Sequence, residues 1–596
     1  MNFYQLIERF RVDTLDVSLP AFAPELAICA TIVAMLLVRM PGFGRKINSF
    51  CIALPGAVTA LWLSAPWHYL QGDVDLHGTP IFDGLLIFDT FTIFFRSVLM
   101  LFAVLFLIFT TLSGIPDRED SPDFYTLVLG GLLGMCVMAS ANHMLTVFLG
   151  VEMASVPSYA LAGILKGRRT AGEAALKYAV YGAGAAGVML YGISLLAGAL
   201  GSAHIPTMAA QLASLSPEQF ADRQLVLMTG TLMVAVGLAF KLSAVPFHFW
   251  APDVFEGACA EVNAFLSVAS KAGAMALLVR VALGFSHAPA PAHGEPPIPL
   301  PAAAAAAEAA PFQLVAGPKG PTVVSPDDDE PAHAHHEHDG HNHAPGELAH
   351  DHDHGHAAHS IVAGGDNLTK ARKFIAGLIA LLAAVTCTFG NLAAYGQTNI
   401  KRLLAYSTIA HAGYMMMPVA AAVAMSGSDS AGSQEAVAAV CFYVGTYLFM
   451  NLSAFAIIAF LRNTLRSEEI ADYAGLIKRS PGLVICMATV LISLVGLPPL
   501  AGFAAKFFAF GALVKAEMFA LLVIGGLNTA ISLFYYLRVV KAMTIDPEPE
   551  HRAPVSFSMI SVEGVYVALV TLPVLLLGIW FDTLLRWAQA AAGGLI

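Results

Sequence analysis

The sequence predicts an all-α polytopic membrane protein of about 14 transmembrane helices, in which helices 4–8 and 9–13 form two inverted five-helix repeats, each with one discontinuous helix. Three observations carry this. Of 596 residues, 57% are hydrophobic and only 12% charged, with a mean hydropathy of +0.69, too little polar surface for a chain dissolved in water. Apolar stretches of about 20 residues, the length that spans a bilayer, recur along the chain. Two of them are interrupted by proline beside a lysine, Pro246 near Lys241 and Pro498-Pro499 near Lys506.

Taken in order, the apolar runs place helices 1 to 14 near 22–39, 49–66, 91–112, 124–141, 144–164, 173–199, 225–246, 262–283, 374–393, 402–424, 435–461, 482–514, 516–538 and 560–583. The stretch 482–514 is too long for one straight span, which is why the double proline reads as a break. The polar start "MNFYQLIERFRVD" before a full-length span reads as a retained helix rather than a cleaved signal. The chain then divides into three N-terminal helices (1–112), a first repeat (124–283), an insert (284–367), a second repeat (368–540) and a C-terminal helix (541–596).

With an even number of spans both termini share a side, and lysine and arginine decide which. Loops after the odd-numbered helices hold sixteen of them, against nine on the other side, so both termini are expected to face away from the cytoplasm. The net charge of −11 is concentrated in the insert, and no basic nucleic-acid patch is present. Seven scattered cysteines without a Cys-x-x-Cys pair argue against disulfides and iron-sulfur ligation. Nucleotide-binding glycine patterns are missing too, so the chain itself is expected to hold no cofactor and perform no redox step.

The insert departs from everything around it. It runs "APAPAHGEPPIPLPAAAAAAEAAP" and then "HAHHEHDGHNHAPGELAHDHDHGHAAH", with eleven of the chain's twenty histidines between His333 and His359. It cannot form a packed core and reads as a solvated, disordered insertion with incidental affinity for divalent metal, a metal sensor or buffer being the alternative. Deleting residues 300 to 360 is expected to leave turnover largely intact, measured as coupled activity in membranes.

Five ionisable residues stand in apolar runs: Glu152, Lys177, Lys241, Lys271 and Lys506. A charge at the bilayer centre costs about 2.5–3.5 kcal/mol even on the lenient insertion scale, so each needs a reason. Glu152, Lys241 and Lys271 are near mid-span, too deep for snorkelling to reach water. Lys177 is nearer its helix start and follows Glu173 by four residues, so an interfacial ion pair competes with a functional role. Pro246 frees the carbonyl of Leu242, which could hold water on a proton's way, and His248 lies two turns beyond Lys241.

These residue types suit proton transfer. A lysine stranded in hydrocarbon gives up its proton readily, and a carboxylate within reach restores the cation, so a movable carboxylate switches proton affinity. Glu152 beside Lys241 would hold that proton, and withdrawing it would send the proton toward Lys271. Moving one charge against the membrane potential costs about 2.3 kcal/mol per 100 mV, and a shift of a few pKa units at about 1.4 kcal/mol each is of that size.

At "FHFWAPDVFEGA", "FLSVASKAG", "NIKRLLAYSTIAHAGYM" and "GLPPLAGFAAKF" the sequence resembles the antiporter-like membrane subunits of bacterial respiratory complex I, the proton-translocating NADH:quinone oxidoreductase, and among them subunit N. A lysine rather than a glutamate at 506 separates it from subunit M, and the short stretch after the last span separates it from subunit L with its lateral helix. The resemblance implies that Glu152 and Lys241 form the first-half pair, that Lys177 and Lys271 continue a central polar axis, that Lys506 is the second-half lysine, and that His248 and His411 support the axis. It implies no metal site in this chain, with FMN, iron-sulfur clusters and quinone in partner subunits. The implied partners are the other membrane subunits, including antiporter-like subunit M and small subunits J and K, together with membrane lipids, in the bacterial inner membrane. In one respect the sequence departs from the family, which usually has a Pro-Thr-Pro turn after "EGA" where Cys259, Ala260 and Glu261 stand here. An Mrp-type cation/proton antiporter or a membrane-bound hydrogenase subunit of the same fold is the competing reading; a divalent-metal transporter fits poorly, because lysines are weak metal ligands.

Overall fold

A computed structural model describes residues 11–39, 48–64, 78–116, 120–286, 355–550, 552 and 557–595, with side chains from residue 366 onward in the fifth of these stretches. Each of the expected spans meets a helix. Eleven helices are long and apolar enough to cross a membrane: Thr90–Ser113, Ser121–Ser140, Met144–Ala162, Arg169–Leu200, Pro217–Leu242, Ala260–Gly284, Asp366–Ala394, Ile400–Met425, Ser430–Leu465, Phe519–Thr544 and Val562–Ile579. Helix 1, Ala23–Arg39, joins Val12–Ala21 at a bend of 78°, while helix 2, Phe50–Leu63, and the first half of helix 12, Pro481–Val495, are shorter apolar helices. An amphipathic segment Ile205–Ser214 precedes helix 7, and Asp582–Gly593 follows helix 14.

Helices 8, 10 and 11 form the enclosed centre. The apolar window of helix 8 is entirely buried, and those of helices 10 and 11 are 94% buried, whereas helices 6 and 13 bury only 33% of theirs. Helices apolar on all sides sit inside, and those with Leu176, Val180, Val523 and Phe534 turned outward face the hydrocarbon. The lysine of helix 8 and the histidine of helix 10 are therefore central by construction.

Both expected breaks occur, at the expected prolines. Helix 7 stops at Leu242 and resumes as Trp250–Gly257; helix 12 stops at Val495 and resumes as Ala501–Lys515. Each first half ends on a left-handed residue, Ser243 at φ 55° and Gly496 at φ 92°, three residues before Pro246 and Pro499. His248 thus lies in the break rather than on a continuous helix two turns from Lys241, because the chain leaves helical geometry at Ser243.

The two halves share close approaches as well. A Cβ on Gly134 would fall 2.5 Å from the nitrogen of Ala154, and one on Gly390 would fall 2.6 Å from that of Ala410. Each glycine lies nine residues before a helix N-cap, His143 or Asn399, and each N-cap residue forms an isolated antiparallel bridge, with His204 or Glu469. Because the obstacles are backbone atoms, Gly134→Val is expected to push helices 4 and 5 apart at a cost of about 1–3 kcal/mol. Thermal stability of the purified assembly measures it; Gly130→Val, in open space, is the control.

Differences from expectation are local. A hairpin, Thr79–Ile81 against Leu86–Phe88, turns through Phe82, Asp83 and Gly84, all at positive φ, where no strand was expected. Helix 9 belongs to a run Gly355–Ala394 that starts inside the stretch read as insert, where the sequence after Pro345 has no proline to stop a helix. The rest of the histidine tract lies outside the described residues.

Candidate functional site: a buried lysine and histidine axis

Proline 246 has no N–H, so the carbonyl of Leu242 loses its helical donor, and Pro499 does the same to the carbonyl of Val495. Both carbonyls end half-helices and carry the negative end of a helix dipole. An ammonium takes each. Lys271 Nζ on helix 8 donates to Leu242 O, and Lys506 Nζ donates to Val495 O at 2.8 Å and Leu494 O at 3.3 Å while standing 4.2 Å over the Tyr414 ring. The place expected to hold water beside Lys241 is thus occupied by a lysine.

Lys241 is 2% exposed and donates to Ser155 Oγ at 3.0 Å, and Ser155 in turn bonds Val151 O. Glu152 lies one turn before Ser155 on helix 5 and is half-buried, but among the described residues no salt bridge joins it to Lys241. The expected carboxylate–ammonium pair is not closed as a salt bridge, and the ammonium is held by a neutral hydroxyl. Trp250 Nε1 spans the break to Phe240 O at 3.1 Å and stacks on Tyr178 at 4.1 Å, which holds the two halves of helix 7 in line. His248 is half-buried with its ring 4.4 Å from that of Phe389, and among the described residues its Nδ1 has no partner within hydrogen-bond geometry.

Lys177 departs from the axis. It pairs with Glu173 at 2.9 Å and with Asp253 at 2.8 Å, and Asp253 also takes Arg402 at 3.1 Å. Glu173, Lys177 and Asp253 line a polar cleft of about 180 Å³ with Glu256 and Thr170, and Arg402 pairs with its Asp253 and Glu256. The interfacial ion pair weighed from the i,i+4 spacing is present, joined by a partner 76 residues away.

The second half is a network of hydroxyls and amides. His411 Nδ1 meets Tyr443 Oη at 2.9 Å, its Nε2 meets Tyr536 Oη at 3.4 Å, and Tyr536 reaches Ser407. Beside it Tyr535 Oη donates to Asn391 Oδ1 at 3.0 Å, Asn391 to Asn528 at 3.3 Å, and Asn528 to Thr388 at 3.0 Å. Tyr443, Tyr447 and Asn451 follow one another at four-residue spacing on helix 11, hence on one face. Among the described residues the Tyr447 hydroxyl and both polar atoms of Asn451 are buried with no partner within hydrogen-bond geometry, as is Asn263 Oδ1 on helix 8. Leaving such groups dry costs about 1–3 kcal/mol each, so they are places for water.

The shared landmarks set a register between the halves. Gly134 and Gly390 differ by 256 positions, which puts Ser155 at the place of His411; Ser243 and Gly496 differ by 253, which puts Lys241 at the place of Leu494 and Asp253 at the place of Lys506. The lysines of the two broken helices therefore lie on opposite sides of their breaks.

Sequence reasoning missed several buried charges. Asp89 caps helix 3 and holds Arg280 of helix 8, and Glu25 pairs with Arg96 at 2.7 Å, all four nearly inaccessible. Lys401 bonds Glu468 and Ala258 O, both at 2.7 Å, and Glu261 pairs with Arg462 at 3.2 Å. Arg280, Lys401 and Arg462 lie near helix ends, where position alone reads as interfacial. Arg96, inside the apolar run of helix 3, carried the signal that could have found it.

Comparison with known proteins follows the geometry. A family model described as "NADH:quinone oxidoreductase/Mrp antiporter, TM" matches residues 141–291 and 361–532. The NADH-quinone oxidoreductase subunit N of Anaeromyxobacter sp. (strain Fw109-5) is 33% identical over 96% of both chains. A chain of respiratory complex I from Thermus thermophilus superposes with a TM-score of 0.64 at 26% identity, covering 94% of this chain and 98% of that one. A chain of the Mrp complex from Dietzia sp. DQ12-45-1b gives 0.70 at 16% identity, covering 97% and 98%, a likeness of fold alone.

Proposed function

The chain belongs to the NADH:quinone oxidoreductase/Mrp antiporter membrane family and is a proton-translocating subunit of complex I, and from that premise we propose how its own residues move the proton. The observation that carries the proposal is the occupation of both proline-freed carbonyls by buried ammonium groups, with hydroxyl, amide and imidazole groups set between and beyond them. A cation on a half-helix C-terminus is held by a fixed dipole, which stays when the proton leaves and is ready for the next.

In this reading the cleft lined by Glu173, Lys177, Asp253 and Glu256 is the mouth of the first half. Lys241 and Lys271 pass a proton between them, and Glu152 gates the step. With the carboxylate withdrawn, as here, Ser155 holds Lys241; swinging Glu152 onto the ammonium displaces that hydroxyl and holds the proton in place. His411, with Tyr443 and Tyr536, then stands between the first-half lysines and Lys506. Water lodged at Asn263, Asn451 and Tyr447 completes the line, supported by the packing of Phe255, whose carbonyl takes Asn263 at 2.7 Å, against Phe455 of helix 11 at 6.0 Å.

Redox chemistry belongs to partner subunits carrying FMN, iron-sulfur clusters and quinone, and this chain responds to it. We place it beside subunit M and the small subunits J and K, in the bacterial inner membrane with both termini away from the cytoplasm, on the sixteen-to-nine division of basic residues. The water line is tested by Asn451→Leu in the assembled complex. Proton pumping is expected to fall about fivefold, ~1 kcal/mol at the barrier, with Asn451→Ser close to the parent. Full pumping by the leucine variant refutes the line through helix 11.

A further inference from the structure

Helices 6, 7, 8 and 9 enclose a cleft of about 430 Å³ that the proton route does not use. Its walls are apolar, with Leu196, Leu227, Leu278, Phe374 and Ile379 among them, and it runs down to Leu238, three residues before Lys241. Among the described residues that line it, Lys370 alone carries a charge. That residue sits where helix 9 begins, its ammonium 5.4 Å from the centre of the Phe220 ring. Gln224 lies at the same end, and among the described residues the amide nitrogen of its side chain meets the Met228 sulfur, at 3.8 Å, as its acceptor. Thr231, farther in, is satisfied by its own helix, through Leu227 O.

Dimensions and chemistry select the occupant. From Lys370 to Ile379 helix 9 rises about 14 Å, close to half of a hydrocarbon core about 30 Å thick. The cleft therefore reaches from headgroup level to the middle of the bilayer. A single hydrocarbon chain is slim enough to lie in it. Apolar walls with one cation and one amide donor at the outer end match a chain that is greasy along its length and carries an anionic oxygen at its top. Lys370 also pairs with Asp366 at 2.8 Å, but both side chains are more than half exposed, and an ammonium has three N–H donors to share.

We propose that this cleft is a specific phospholipid site, one acyl chain lying between helices 7 and 9 with the phosphodiester at Lys370 and Gln224. The site joins the two halves of the protein, since helix 7 belongs to the first and helix 9 to the second, and Val245 N beside the break already bonds Thr386 of helix 9 at 2.9 Å. The bound chain fills the seam directly below Lys241 and keeps water from reaching it from the membrane side. The inference requires the chain to lie in a bilayer and is independent of the proton path.

The test uses the intact complex reconstituted with a phospholipid bearing a photoreactive diazirine at the end of one acyl chain, with cross-links mapped by mass spectrometry. Adducts are expected at the deep end, on Leu238, Leu378 or Ile379. Ala235→Phe, which fills the cleft, should abolish them; Lys370→Glu should lower them about fivefold, and Lys370→Arg should keep them. Lys241→Ala should label like the parent, which separates this site from the proton route. Adducts confined to the outward-facing Leu225 and Leu232, unchanged by Ala235→Phe, overturn the proposal, as do deep-end cross-links to a neighbouring subunit.

Discussion

Replacing Lys241 with alanine is expected to lower proton pumping and NADH:quinone reductase activity together, each by at least about tenfold, ~1.4 kcal/mol or more at the barrier. The effect is functional rather than structural. Lys241 is almost fully buried and among the described residues its ammonium makes one hydrogen bond, to Ser155, which keeps its own bond to Val151 O when the ammonium goes. Removing a charge from the bilayer interior relieves a cost of about 2.5–3.5 kcal/mol, so helix 7 loses no support. What disappears is the group that the proposed axis sets between Glu152 and Lys271 as its proton carrier. The measurement is proton uptake into sealed vesicles alongside quinone reduction, with electron transfer to an acceptor that bypasses the membrane subunits as the control for assembly. Undiminished pumping with an assembled complex would sink the proposed axis.

Arg462→Leu is expected to cost about 3–5 kcal/mol and to empty the membrane of assembled complex. Glu261 is inaccessible to solvent, and Arg462 meets both of its carboxylate oxygens, at 3.2 and 3.3 Å. Taking the guanidinium away strands a carboxylate where helix 8 begins. Glu261→Gln in the same chain removes the stranded charge and should restore most of the assembly; immunoblots of membranes and native gels read both. If the single variant assembles like the parent, the pair is not a support. This bridge also answers the departure at "CAE". Where the family turns on prolines, this chain ties the start of helix 8 to the end of helix 11, 201 residues later, by charge.

How far the site was legible follows from where each signal lives. Glu152, Lys241, Lys271 and Lys506 stand out in sequence because a charge in an apolar run is anomalous against its immediate neighbours. The partner of each is not visible there. Lys271 donates to a carbonyl 29 residues away, Lys506 to ones 11 and 12 away, and Arg280 to an aspartate 191 away. His411 shows the same limit. Its surroundings are tyrosines 32 and 125 positions off, on helices whose facing follows from packing.

The sequence by itself determined that this is a membrane protein, roughly where its helices run, that two of them break at proline, and which charges the bilayer would not tolerate without cause. All of these are local: hydropathy sums over about 20 neighbours, and proline removes one donor and frees one carbonyl at a set spacing. Only the tertiary structure decided that both freed carbonyls hold ammonium groups, that Lys241 bonds Ser155 rather than Glu152, that Lys177 lines a polar cleft, and that the two lysines lie on opposite sides of their breaks. Those outcomes depend on which helix faces meet across the chain, and in a nearly uniform apolar sequence packing geometry sets that rather than any pattern along the backbone.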